Sequence, residues 1–169
     1  LAAWDTAHLA IAREAIEAND AQTAVAAMRS ALNPPVELGE GRHELANVAE
    51  LHLVMGDALD LLGDVEGARS AWSISAGFTG DFSGMKPREY SEQTVFSALA
   101  LSRLGRAAES GALTDALAEW IDQLAATPAR VDYFATSLPT MLLFVEDVQE
   151  ARDNELRRLR EIMKSHVAP

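Results

Sequence analysis

Apolar positions along this chain recur at three- and four-residue steps in paired blocks separated by short polar turns, a pattern that predicts helical hairpins. From Ala3 to Ala18 the apolar stripe runs through Trp4, Ala7, Ile11 and Ala15, with Leu9 and Ile16 beside it. Asn19-Asp20 offers a turn, and Ala21, Ala24, Val25, Met28, Ala31 and Leu32 resume the period, so two antiparallel helices are expected over 3–33. Asn33-Pro34-Pro35 ends them, and 36–42 has the glycine and proline content of an ordered loop. Leu45, Val48, His52, Met55, Leu59 and Leu62 predict a long third helix. Gly63 then stops it and Asp64 can cap the next, Val65 to Ala76, with Ala68, Ala71, Trp72 and Ser75 facing inward. This is a second hairpin, over 44–77. The stretch 77–87 is a further loop whose Phe78 and Phe82 are expected to tuck onto the helices. A third hairpin, 88–126, joins Glu89–Leu104 to Ala107–Ala126 through Gly105-Arg106. A capping region over 128–167 follows, its helix running from about Thr140 to His166 with Leu142, Leu143, Val145, Val148, Leu156, Leu159, Ile162 and Met163 apolar.

The turns at Asn19, Gly63 and Gly105 are separated by 44 and 42 residues. In that register small side chains fall where helices must cross closely. They are Ala12, Ala24 and Ala31 in the first repeat, then Gly56, Ala68 and Ser75 in the second. The third, with Ala98, Ser110 and Leu117, is degenerate. On these residues, and on Met55-Gly56, Leu62-Gly63-Asp64, Ala68 and Trp72 in particular, the chain resembles the tetratricopeptide family over roughly 5–125, best over 49–82. A tetratricopeptide unit is about 34 residues, so each repeat here is a hairpin plus a loop of about ten more. The resemblance implies an all-α, right-handed stack of antiparallel helical hairpins with a carboxy-terminal capping helix, and names no ligand. A second resemblance rests on the loop 33–41 and on the stretch 131–139. Both are similar to the repeat-bearing carboxy-terminal region of large bacterial proteins with an uncharacterised, β-rich amino-terminal part. Those proteins look like carbohydrate-active enzymes in their domain arrangement, which would make this chain a helical module of a glycan-related protein.

A length of 169 residues and an apolar content of 49% suit one domain with a continuous core. With no cysteine there is no disulfide, thiolate metal site or cysteine nucleophile. No apolar run approaches the roughly 18 residues that cross a bilayer, and no basic segment leads into an apolar one at the amino terminus, so a soluble, cytoplasmic chain is expected. It begins at Leu1 with helical pattern in place by Trp4, as a segment of a longer protein would. The formal charge of −12 is uneven: residues 1–146 hold 9 Lys+Arg against 21 Asp+Glu, and 147–169 hold 5 of each. Such a surface repels phosphate backbones, so no nucleic-acid partner is expected.

No catalytic, cofactor or metal site is expected either. His43-Glu44-Leu45-Ala46-Asn47 has asparagine where the zinc-protease helix needs its second histidine, and reads as a helix start with a capping glutamate. Gly84-Met85-Lys86 lacks the hydroxyl residue and the preceding strand of a phosphate loop. Ser137 lacks the glycines of a nucleophile elbow, and Asp57 with Asp60 on one helix lack the opposed placement of glycosidase carboxylates. A surface is the better candidate. In the family resembled, the first helix of each hairpin lines a concave groove, and the matching positions are Arg13, Glu17, Glu50, Leu53, Asp57, Asp60, Glu92, Val95, Leu99 and Arg103. The middle of that groove reads as acidic, suited to a basic or extended peptide, or to sugar hydroxyls with help from Tyr90 and Tyr133. The function expected is a non-enzymatic interaction or scaffold module. It would bind a protein or peptide, another domain of its own chain or a second copy. The alternative is the helical accessory domain of a carbohydrate-active protein, with Phe78, Phe82, Tyr133 and Phe134 meeting the catalytic part.

Overall fold

In the computed structural model, which describes residues 1–83, 86–129 and 148–167, three left-handed turns punctuate the helices. Asn19, Gly63 and Gly105 have φ of 59°, 86° and 76°. Each closes the preceding helix with the same pair of bonds. The N–H groups of Asn19, Gly63 and Gly105 donate to the carbonyls of Ile16, Asp60 and Ser102, and those of the following residues donate to Ala15, Leu59 and Leu101. Glycine takes this conformation without steric cost, and asparagine is among the few other residues that tolerate it. In the first two turns the next side chain also caps the next helix: Asp20 accepts from the Thr23 N–H at 3.1 Å, and Asp64 from the Gly67 N–H at 2.9 Å. Arg106 occupies that place in the third turn and makes no such cap.

The helices so delimited are α1 (Ala2–Glu17), α2 (Ala21–Leu32), α3 (Ala49–Leu62), α4 (Val65–Ala76), α5 (Gln93–Arg103), α6 (Ala107–Ala126) and α7 (Val148–Val167). Consecutive helices pair antiparallel. Trp4 at the start of α1 donates to the Ser30 carbonyl near the end of α2, Ser75 near the end of α4 donates to the Ala49 carbonyl that opens α3, and Ser110 early in α6 donates to Ala98 of α5. The pairs pack in sequence: α3 rests on both α1 and α2, α5 on both α3 and α4, and α7 on α5 and α6. The described chain is therefore mostly helical, with packed helices.

The small residues sit at the crossings. Ala12, Ala24, Ala31, Ala68 and Ser75 have no exposed surface, and Gly56 is buried. A Cβ built on Gly56 would lie 2.3 Å from Trp72 of α4, so α3 and α4 meet at a distance only glycine allows. Leu117 fills the corresponding place in the third pair, against Val95, Ile121, Leu156 and Leu159.

Several expectations are corrected. Helix α3 opens at Ala49, not near 44, because the Asn47 carboxamide oxygen accepts from the Ala49 N–H at 3.0 Å and ends the loop there. His43 and Glu44 precede the helix, and Glu44 caps nothing in it. Leu45, expected on the apolar stripe, is 68% exposed. Helix α5 opens at Gln93, not Glu89, because Ser91 and Thr94 hold the turn before it: the Gln93 N–H donates to Ser91 Oγ and the Ser91 N–H to Thr94 Oγ1. The loop before it contains an antiparallel pair, β1 (Asp81–Ser83) and β2 (Lys86–Arg88), with Phe82 opposite Pro87. The buried face of α1 is centred on Leu9, Ala12 and Ala15, leaving Ala7 and Ile11 exposed. Phe78 packs against the cluster of Ala49, Leu53, Ala68, Trp72 and Phe96, and Phe82 stacks on His43 with ring centroids 4.3 Å apart. In α7, Leu156 and Leu159 are buried with Ile162 and Met163 beside them, while the helical run from Thr140, its apolar Leu142, Leu143 and Val145, and the 131–139 stretch lie outside the described residues.

Candidate functional site

The first helices of the three pairs contact one another in order, α1 on α3 and α3 on α5, and the charged positions named from the sequence lie along this row. Their side chains are largely engaged with each other. Arg13 of α1 donates to Glu50 of α3 at 2.6 Å. Arg103 of α5 donates to both oxygens of Asp57 of α3, at 3.0 and 3.4 Å, and the Trp72 indole N–H donates to the same carboxylate at 3.0 Å. The hydrogen bond it donates to Asp57 raises the Arg103 pKa above its ordinary value, with the charges of Asp57 and Asp60 adding to it. Glu92, just before α5, accepts from Arg158 of α7 at 3.1 Å. Two of the three groove carboxylates of α3, Glu50 and Asp57, are thus paired with arginines of the neighbouring helices. Glu17 and Asp60 are exposed and have no hydrogen-bond or ion-pair partner among the described residues.

Leu53 and Val95, expected to line the groove, are core side chains at 5% and 1% exposure, and Leu99 is half-buried between two clusters. Tyr90 is half-buried, with its ring 5.8 Å from Trp120 of α6, and Tyr133 and Phe134 lie outside the described residues.

Asn47, at the position where a zinc-protease helix needs its second histidine, joins two loops. Besides opening α3 it donates through Nδ2 to the Gly80 carbonyl at 2.8 Å, and its backbone N–H donates to Asp81 at 3.1 Å. The loop before α3 is tied to the first pair by Arg42, which makes a two-pronged ion pair with Asp5 at 2.9 Å and reaches the Ala31 carbonyl at 3.2 Å. The His52 ring of α3 lies 6.2 Å from that of Phe78, and burial, with the charge of Arg42 second, lowers its pKa below the usual imidazole value. Among the described residues no group of three or more His, Asp or Glu is placed to hold a metal. Gly84 and Met85 are outside them, Lys86 is in β2, and Ser137 is outside them too.

Sequence reasoning missed a cleft of 430 Å³ where the loop after α4 meets α5 and α6. Phe78, Thr79, Gly80, Glu89, Tyr90, Thr94 and Leu113 line it. Its walls come from three separate stretches of chain, and no local pattern marks their meeting. No family model matches the chain, and neither a curated protein nor a solved structure matches it. No helix among the described residues is long and apolar enough to cross a membrane.

Proposed function

We infer that the chain is a non-enzymatic, tetratricopeptide-like interaction module of the cytoplasm. In this reading the hairpins form a right-handed stack, the row of first helices faces a groove, and a protein or peptide partner binds there. The observation that carries it is the repetition of one unit: the same left-handed turn and paired carbonyl bonds at Asn19, Gly63 and Gly105, with successive first helices side by side. A stack of such units presents one extended face whose side chains are free to vary without disturbing the crossings.

The charge pairing narrows where the partner is held. Glu50, Asp57, Glu92, Arg13 and Arg103 are engaged in joining helices, so Glu17 and Asp60, whose carboxylates make no hydrogen bond or close ion pair among the described residues, are the positions left to attract a basic segment, although Asp60 already lies in the field of Arg103. The test is capture from a lysate of the source organism, with carboxylate-to-amine cross-linking and mapping of the linked residues. Links to Glu17 or Asp60, and loss of the linked partner in a Glu17→Lys, Asp60→Lys variant with an unaltered thermal midpoint, are expected. Capture indifferent to that double reversal, or no specific capture, overturns the reading.

A further inference from the structure

The cleft beside the β1–β2 loop joins apolar walls to a charged rim. Two aromatic rings stand in its wall, each half-buried and each backed by a second ring: Phe78 by His52 at 6.2 Å, and Tyr90 by Trp120 at 5.8 Å between centroids. Phe78 also packs against the cluster around Trp72 and Phe96, and Tyr90 against the one around Val95 and Leu117, so both rings are held by the core. Thr94 is 7% exposed. Its Oγ1 accepts from the Ser91 N–H, and among the described residues no acceptor takes the hydroxyl hydrogen. At the rim Glu89 is exposed and without a partner among the described residues, whereas Arg88 beside it is held by Glu155 of α7.

We propose that this cleft binds a lysine- or arginine-bearing segment of an extended peptide from a partner protein, with the side-chain stem between Phe78 and Tyr90, the cation at Glu89 and a peptide carbonyl on Thr94. The chemistry chooses this occupant. Apolar walls suit a methylene stem, and aromatic faces together with an uncompensated carboxylate favour a cation over a neutral or acidic group. The formal charge of −12 works in the same direction at longer range. A volume of 430 Å³ lies within the span of about 300 to 1,000 Å³ usual for ligand clefts. The inference rests on the interaction-module reading and adds to it a second contact, away from the row of first helices.

The test uses the full chain and amide NMR titrations with N-acetyl-lysine methylamide and its uncharged counterpart, N-acetyl-norleucine methylamide. The lysine probe is expected to shift the amides of Phe78, Thr79, Tyr90, Thr94 and Leu113. Its affinity is expected to fall about two- to five-fold in Glu89→Gln, the range of an exposed ion pair, and to weaken with added salt. Thr94→Val, nearly equal in volume, is expected to weaken both probes alike. Equal binding of the two probes, indifference to Glu89→Gln, or absence of shifts in the cleft overturns the proposal. Shifts confined to Glu17 and Asp60 overturn it while leaving the groove reading intact, whereas the groove reading fails on its own cross-linking experiment whatever the cleft does.

Discussion

Replacing Gly56 by alanine tests the closest approach in the molecule. A methyl group there would fall 2.3 Å from Cδ1 and Nε1 of Trp72 and 2.9 Å from its Cγ, well inside contact distance. In an exposed helix the same change gains about 1 kcal/mol, because glycine gives up more backbone freedom on folding. Here the indole must move, yet it is 8% exposed, packed among Ala49, Leu53, Ala68 and Phe96, and hydrogen-bonded to Asp57. Overpacking costs about 1–3 kcal/mol and loss of the indole hydrogen bond about 1 kcal/mol. The net is a loss of about 1–3 kcal/mol, a fall of roughly 3–10 °C in thermal midpoint for a chain of this size. Helix α6 supplies the control, since a Cβ on the exposed Gly111 meets nothing within 4 Å. Gly111→Ala is expected to stabilise by about 0.4–1 kcal/mol. Both variants are to be melted by circular dichroism and unfolded in urea. If Gly56→Ala matches or exceeds the midpoint of Gly111→Ala, the α3–α4 crossing is not the one described and the argument from small residues fails with it.

Three further outcomes are expected. Asn47→Ala removes a buried bridge to Ala49 and Gly80 and is expected to cost about 1–3 kcal/mol in urea unfolding, with faster amide exchange at Asp81 and the start of α3. For His52, whose folded pKa is lowered by burial, stability is unaffected above the unfolded value of about 6.5, falls as the unfolded chain alone takes up the proton, and levels off below the folded pKa; urea midpoints across pH 7.5 to 5 should show this fall reduced in His52→Gln. A double-mutant cycle on Arg13 and Glu50, side chains 46% and 18% exposed, is expected to give a coupling below about 1 kcal/mol that shrinks in high salt.

Turns and crossings were legible because each depends on a few residues close in sequence. Asn19, Gly63 and Gly105 announce left-handed turns by their own backbone freedom, and Ala12, Gly56, Ala68 and Ser75 announce close crossings by their size. Helix rotation was less legible. The central helix α3 is covered by α1, α2, α4 and α5, so Leu51, Leu53, Val54 and Ala58 are all buried and no single polar face orients it. The start of α3 depends on Asn47, whose partners at Gly80 and Asp81 lie more than thirty residues away. Charge signs were visible, but the arginine partners of Glu50 and Asp57 are on other hairpins, 37 and 46 residues off, so their pairing was not.

The placement of charge along that row also bears on which hairpins can be neighbours. Helix α3 offers carboxylates to both neighbours, and α1 and α5 each offer an arginine toward it. Two copies of the middle hairpin packed side by side, as neighbouring hairpins pack here, would oppose Glu50 and Asp57 as like charges. Each exposed pair contributes little to holding the native stack together, but the pattern penalises the competing arrangements that similar hairpins otherwise invite, so its worth is in fidelity of folding and resistance to domain exchange.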